Sequence, residues 1–366
     1  MTTEWHIWDF PDNVRVYLSD DFRSRLFLLL KKKESRSKLA KKFDMNTSTI
    51  KSYFQNGVDS KGLKTYIPIS IVKKIPEILS DFRIMKELER NIIAYRSRAG
   101  SPVISPILPI KETPEMYSVI AHIICDGSAG KRKSPYYANT MPELIEEMKN
   151  NLQVFGTVRT NQYTNKNGVM NIMFPKAITD FLSYIFEIEF VRTKNLPQKI
   201  FSAPDECKYV FIRAMFDDEG SFSSYGRQLV FVQKERGIID DLQVLLRSIG
   251  IETGHVHQRG CNYITVLSKS RTRFHDLIGF THELKKQKSQ TLFIKDEKIQ
   301  NYETLEKRVY KLLSREGPLD RFQITERLNA NLNSVTDALY KKLRNKKVMS
   351  KFNGKNKNYL WYVNQN

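Results

Sequence analysis

Two nonapeptides constrain this chain more than any other feature: Val119-Ile120-Ala121-His122-Ile123-Ile124-Cys125-Asp126-Gly127 and Ile212-Arg213-Ala214-Met215-Phe216-Asp217-Asp218-Glu219-Gly220. Each reads as a mostly apolar helix with small residues at its third and seventh positions, ending in a carboxylate followed by glycine. The terminal acids, Asp126 and Glu219, lie 93 residues apart, which suggests an internal duplication. Small residues at helical spacing let two such helices touch backbone to backbone along one face. Paired in this way, they deliver their C-terminal carboxylates to one place. The helix dipole disfavours negative charge there, and a divalent cation offsets that cost. Two carboxylates meeting under a nucleic acid form a Mg²⁺ site able to drive phosphodiester hydrolysis.

The charge balance points to a polyanionic partner. The chain of 366 residues carries 60 basic and 40 acidic side chains, a net charge of +20. Residues 1–100 and 301–366 each contribute +8, so most of the excess lies outside the motif-bearing middle. Apolar content of 40% fills real cores. Cys125, Cys207 and Cys261 show neither a disulfide framework nor zinc-ligand spacing. No stretch approaches the ~18–20 apolar residues of a membrane span, so the expected location is intracellular: cytoplasmic, or at the nucleoid in a prokaryote.

Periodicity and turns give the same element order after each nonapeptide. In the first repeat, strand 136–139 and helix 141–154 precede strands 157–163 and 169–174, and helix 177–186 closes the unit. In the second, helix 208–218 leads to strands 221–225 and 228–233, helix 237–249, strands 255–258 and 262–268, and helix 271–280. The predicted fold class is α+β, two αββαββα halves related by a pseudo-twofold axis. Antiparallel sheets of this kind leave one face polar and open. Its candidate DNA-reading residues are Arg132, Lys133, Tyr136, Arg159, Asn161, Tyr163 and Asn171, then Arg227, Gln228, Gln233, Lys234, His257, Gln258 and Tyr263. A two-stranded ribbon fits the major groove, where Arg, Asn and Gln pair with base edges.

Both flanks carry DNA-binding patterns. Helices 35–43 and 47–57, joined by a turn at 44–46 with Asn46 or Thr47 as the N-cap, read as a helix-turn-helix. Thr47, Ser48, Thr49 and Lys51 face DNA in that reading. Helices 304–315, 324–328 and 334–344, the last capped by Asn333, precede strands 348–352 and 359–363, the pattern of a winged helix. Lys341, Lys342, Lys355 and Lys357 then contact phosphates. The expected domains are 1–96 (helix-turn-helix), 97–114 (a proline-rich linker), 115–206 and 207–300 (the repeats) and 301–366 (winged helix).

Both nonapeptides resemble the LAGLIDADG motif of homing endonucleases, in the single-chain form that carries two motifs. The second is the closer match. The first keeps the acid–glycine ending, and both have Ala (Ala121, Ala214) where the family has an interface Gly. The helix-turn-helix followed by the Ile67-Pro68 segment resembles a leader domain on some archaeal members. The resemblance implies a monomeric, site-specific double-stranded DNA endonuclease with Asp126 and Glu219 catalytic. It implies Mg²⁺, with Mn²⁺ able to substitute, at a centre of Asp126, Gly127, Glu219 and Gly220, and water as the nucleophile. Asp217 reads as a structural cap. Residues 279–292 resemble the segment following the family's last repeat helix, where a lysine points at the active site, and the matching position is Lys286. Arg192 or Lys194 holds the comparable place in the first repeat. Two further readings fit: a DNA-binding regulator that no longer cuts, and a maturase acting on RNA.

Overall fold

Both nonapeptides form the ends of helices. Pro114–Cys125 carries the first and Asp205–Glu219 the second. Proline at the start of the first helix forgoes an N–H that has no intrahelical partner there. Asp205 and Glu206 place negative charge at the positive end of the second. Ala121 and Ala214 are fully buried, and the two helices pack against each other more extensively than any other pair of described helices. The glycines that follow are sterically required. A Cβ on Gly127 would stand 2.5 Å from Ile123 Cα, and one on Gly220 would stand 2.4 Å from the Phe216 carbonyl oxygen. The chain therefore passes straight from each helix into a strand, Gly127–Ser128 or Gly220–Phe222.

The computed structural model describes residues 3–58, 62–98, 100–130, 134–223, 228–299, 304–343, 348–353 and 358–363. Arg132, Lys133, Arg227, Lys355 and Lys357 lie outside them, as does the side chain of Lys342. Contacts divide the chain into two units, 1–294 and 295–366.

In the larger unit the duplication is complete. The first half continues through strand Tyr136–Asn139, helix Pro142–Asn151, strands Asn161–Thr164 and Met170–Met173, and helix Lys176–Phe186. The second continues through strand Leu229–Gln233, helix Arg236–Ser248, strands His257–Arg259 and Cys261–Thr265, and helix Arg271–Leu277. Both four-stranded sheets are antiparallel, with the spatial order first, second, fourth, third. The fold is the expected α+β duplication. Strand Asn161–Thr164 starts later than expected. Upstream, Val158 N donates to the Gln153 side chain at 3.1 Å, and Thr157 bridges to Ile104 instead of its own hairpin.

The N-terminal segment belongs to the same core. Phe10 packs on Phe181 of the first repeat with ring centroids 4.4 Å apart, and Trp5 meets that ring edge-on at 6.0 Å. Residues 97–114, expected as a linker, instead contain two paired strands. Val103–Ile104 pairs with Ile92–Ser97, and Ile110–Lys111 pairs with Glu4–Trp5. Their apolar residues Val103 and Ile110 are fully buried, which a free linker would leave in water. Helix Arg36–Lys42 turns at Asp44 into Thr47–Ile50, which winds on through Lys51–Asn56 to Gly57. Asn46 has N-cap backbone geometry but accepts no capping hydrogen bond. Thr47, Ser48 and Lys51 are exposed and Thr49 is half-buried.

The smaller unit packs helices Leu305–Glu316, Arg321–Leu328 and Leu332–Asp337 around Trp361, with strands Val348–Asn353 and Asn358–Val363 paired as a hairpin. Leu319–Asp320 adds a third strand against Asn358–Val363 that periodicity did not indicate, because it is two residues long. The cap of the 332–337 helix is Asn331, which accepts from Asn333 N and Ser334 N, and not Asn333. Among the described residues no helix is long and apolar enough to cross a membrane.

Gly220→Ala and Ala121→Leu each force atoms into filled space at the helix pair, at a cost of about 1–3 kcal/mol. Urea unfolding is expected to show a lower midpoint for both. Unchanged midpoints would contradict close packing of the pair.

Candidate active site

Four kinds of group meet at the shared end of the motif helices: two carboxylates, two amides, a lysine and a buried histidine–aspartate pair. Asp126 caps the first helix, its N–H donating to the His122 carbonyl at 3.0 Å. Its Oδ2 accepts from Asn139 Nδ2 at 3.3 Å. Glu219 is the last residue of the second helix, and its Oε1 accepts from Gln233 Nε2 at 3.4 Å.

The two amides are equivalents. The motif glycines pair with Tyr137 and Phe231 across each sheet, and Asn139 and Gln233 lie two residues further on. Alternation along a strand puts each amide on the side of its buried aromatic, facing the helices. Gln233, expected on the open face as a groove reader, is thus on the other side of the sheet. Asn139 was not singled out from sequence. The signal that identifies it is an amide 13 residues after the first acid, matching one 14 residues after the second.

The lysine at the site is Lys285 and not Lys286. Lys285 Nζ donates to the carbonyl oxygens of Phe216, at 3.0 Å, and Asp217. Lys286 is half exposed, its Nζ 4.0 Å from Glu283. Neighbouring helix residues point ~100° apart, so the choice depends on where helix Glu283–Ile299 starts. That start is fixed by carboxylates. Asp217 accepts from Thr281 N at 3.0 Å and His282 N at 3.1 Å, and Glu143 of the first repeat accepts from Glu283 N at 3.1 Å. Asp217 is therefore a structural cap, as its motif position suggested. Arg192 and Lys194 are exposed.

Burial governs the charges. It raises Asp126 to about 6, assisted by the nearby Asp218 charge. It raises Glu219 to about 7, assisted by Asp126 and Asp218. Burial lowers Lys285, against the pull of the surrounding carboxylates. It also pulls His122 down, but the charge of Asp218 and its hydrogen bond outweigh this and bring His122 to about 9. A cavity of about 290 Å³ opens beside Asp126, lined among others by Asn139, Asp218, His282 and Lys285. Among the described residues no three His, Cys, Asp or Glu side chains converge as a metal cluster. Two half-buried carboxylates raised by burial and by neighbouring acidic charge nonetheless fit a hard cation such as Mg²⁺, which keeps several waters and takes further oxygens from phosphate.

The other expected positions divide. Tyr136, Asn161 and Tyr163 share the open face of the first sheet, and His257 stacks on Tyr263 at 5.2 Å on that of the second. Arg159, Gln228, Lys234 and Gln258 are exposed. Asn171 pairs with Tyr163 on the open face of the first sheet but is buried, its amide donating to the Val169 carbonyl at 3.1 Å. Lys341 is exposed, 2.9 Å from Asp337.

The family model described as a LAGLIDADG-like domain matches residues 206–279. No curated protein matches significantly. Matching solved structures include I-DmoI in complex with DNA and Mn, at 12% identity and a TM-score of 0.34, covering 45% of this chain and 96% of that one. The homing endonuclease I-WcaI bound to its DNA recognition sequence matches at 15% identity and a TM-score of 0.35, covering 45% and 80%. Full-length DUF199/WhiA from Thermatoga maritima matches at 14% identity and a TM-score of 0.36, covering 62% and 88%.

Because Asp126 and Glu219 hold their protons more tightly here than the ordinary 3.8 and 4.5, their contribution to stability is full below pH ~4 and is lost as pH rises through 6 to 7. In chelator, Asp126→Asn/Glu219→Gln is expected to gain melting temperature over the wild type between pH 5 and 8. Added Ca²⁺ should close that gap at pH 8 by stabilising the wild type. A gap independent of pH would contradict the assignment.

Proposed function

We propose that this chain, whose residues 206–279 form a LAGLIDADG-like domain, is a site-specific double-stranded DNA endonuclease that hydrolyses one phosphodiester in each strand. The observation that carries this reading is the meeting of Asp126, Glu219 and Lys285 where the two motif helices end. The open sheet faces, with Tyr136, Asn161 and Tyr163 on one and His257 and Tyr263 on the other, suit a major groove. The net charge of +20 suits the phosphate backbone. Thr47, Ser48, Thr49 and Lys51 in one flank, and Lys341, Lys342, Lys355 and Lys357 in the other, add contacts outside the cleavage site.

In this reading Asp126 and Glu219, both deprotonated, would hold Mg²⁺ or Mn²⁺ ions, one for each strand's cut, together with the backbone at Gly127 and Gly220. The cation supplies Lewis-acid polarisation of the scissile phosphate and a more acidic water. Asn139 and Gln233 fix the orientation of the two carboxylates. The Lys285 ammonium faces the charge that develops as the water oxygen bonds to phosphorus and the 3′ oxygen leaves. The water's proton passes to solvent, and the departing 3′ oxygen takes a proton from solvent.

The test is a nicking and linearisation assay on a library of random duplexes with Mg²⁺ or Mn²⁺. Asp126→Asn/Glu219→Gln is expected to abolish cleavage with binding retained. Lys285→Met should lower the rate by about 10²–10³-fold, the range for losing one charge-stabilising donor, while Lys286→Met stays close to wild type. Salt-sensitive binding without cleavage would leave a DNA-binding regulator, and preferential action on structured RNA would leave a maturase.

A further inference from the structure

Directly behind Asp126 lies a buried cluster of His122, Asp218 and Tyr137 that the hydrolytic scheme does not use. The side chains of His122 and Asp218 are fully buried in the helix pair. His122 Nδ1 lies 2.9 Å from Asp218 Oδ2. Asp218 Oδ1 accepts from the Tyr137 hydroxyl at 2.7 Å and from Asn139 Nδ2 at 3.2 Å. The same Asn139 nitrogen is 3.3 Å from Asp126 Oδ2, and Asn139 Oδ1 accepts from Met141 N at 3.0 Å. Asp218 belongs to the second repeat, and each of these partners belongs to the first.

The duplication makes the asymmetry explicit. At the equivalent positions, His122 faces Met215, Asp218 faces Cys125 and Tyr137 faces Phe231. Glu219 and Gln233 therefore have no counterpart of this network. Packing does not explain it either. A buried ion pair is weak evidence of stabilisation, since apolar residues of like volume often serve as well, and His122 Nε2 is left without a hydrogen-bond partner. Departures from good local chemistry concentrate where function demands them.

We propose that Asp218 is a positioning residue that makes the two half-sites unequal: anchored by His122 and Tyr137, it locks the Asn139 amide against Asp126. The Asp126 half is thereby preorganised for its cation, and the strand it serves is cut faster than the strand served by Glu219. This rests on the two-acid endonuclease reading above.

The decisive variant is His122→Met/Asp218→Cys, which copies each side chain from the equivalent position and removes both buried charges together. It is expected to fold, with a melting temperature close to wild type and unchanged DNA affinity. Its single-turnover rate on the faster strand should fall by about 10–100-fold, the usual effect of removing an outer partner of a metal ligand, while the slower strand is unchanged. Tyr137→Phe, which copies Phe231, should give a smaller loss confined to the same strand and serves if the double variant does not fold. Terbium luminescence provides a readout independent of cleavage. Wild type should bind Tb³⁺ in two steps, the tighter one absent in Asp126→Asn and weakened about 10–100-fold in the positioning variants. Equal slowing of both strands, or rates and Tb³⁺ steps like those of wild type, would overturn the proposal. If wild type cuts no DNA, the endonuclease reading fails while the Tb³⁺ steps still decide the role of Asp218, with two equal steps counting against it.

Discussion

The contact between helices Pro114–Cys125 and Asp205–Glu219 sets the position of every other group discussed above. Alanines at the third position of each nonapeptide are buried in it, and the glycines at the ninth admit no Cβ. These two steric facts bring two helix C-termini together, each ending in an acid. Such an arrangement opposes both the helix dipoles and the mutual repulsion of the carboxylates. Burial raises the proton affinities of Asp126 and Glu219 first, and neighbouring carboxylate charge adds to it. Divalent cations at the two acids would relieve both penalties.

Lys285 offers only partial relief. It is bound to the carbonyls of Phe216 and Asp217 at the very end of the second motif helix, where positive charge is favourable. Its own helix is held by Asp217 from one repeat and Glu143 from the other. The lysine is thus fixed by the same helix junction that places the acids. Around this shared centre the halves differ, because a charged pair sits behind Asp126 and, among the described residues, nothing comparable sits behind Glu219.

Much of this was legible in the sequence, for identifiable reasons. The acid–glycine endings revealed the duplication, and period-two and period-3.6 patterns gave the αββαββα order of both halves. What stayed hidden depended on tertiary register. Lys285 and Lys286 are indistinguishable in a basic run until a cap fixes the helix start. Gln233 and Asn139 look like surface amides until the pairing of Gly220 with Phe231 and Gly127 with Tyr137 assigns them a face. Asp218 passed as a small interface residue, since its partner His122 lies 96 residues away. The prolines of 97–114 suggested a linker, while the buried Val103 and Ile110 between them carried the opposite signal.

The central claim is that Asp126 and Glu219 hold divalent cations over DNA. Anomalous diffraction at the manganese edge, from crystals of the full chain with Mn²⁺ and a cleavable duplex, tests it most directly. The expected result is manganese within about 2.2 Å of a carboxylate oxygen of Asp126 and within about 2.2 Å of one of Glu219, as oxygen-ligated cations of this size require. A Mn²⁺-loaded complex with no peak at these residues, or with Asp126 and Glu219 protonated and bonded only to each other, would contradict it.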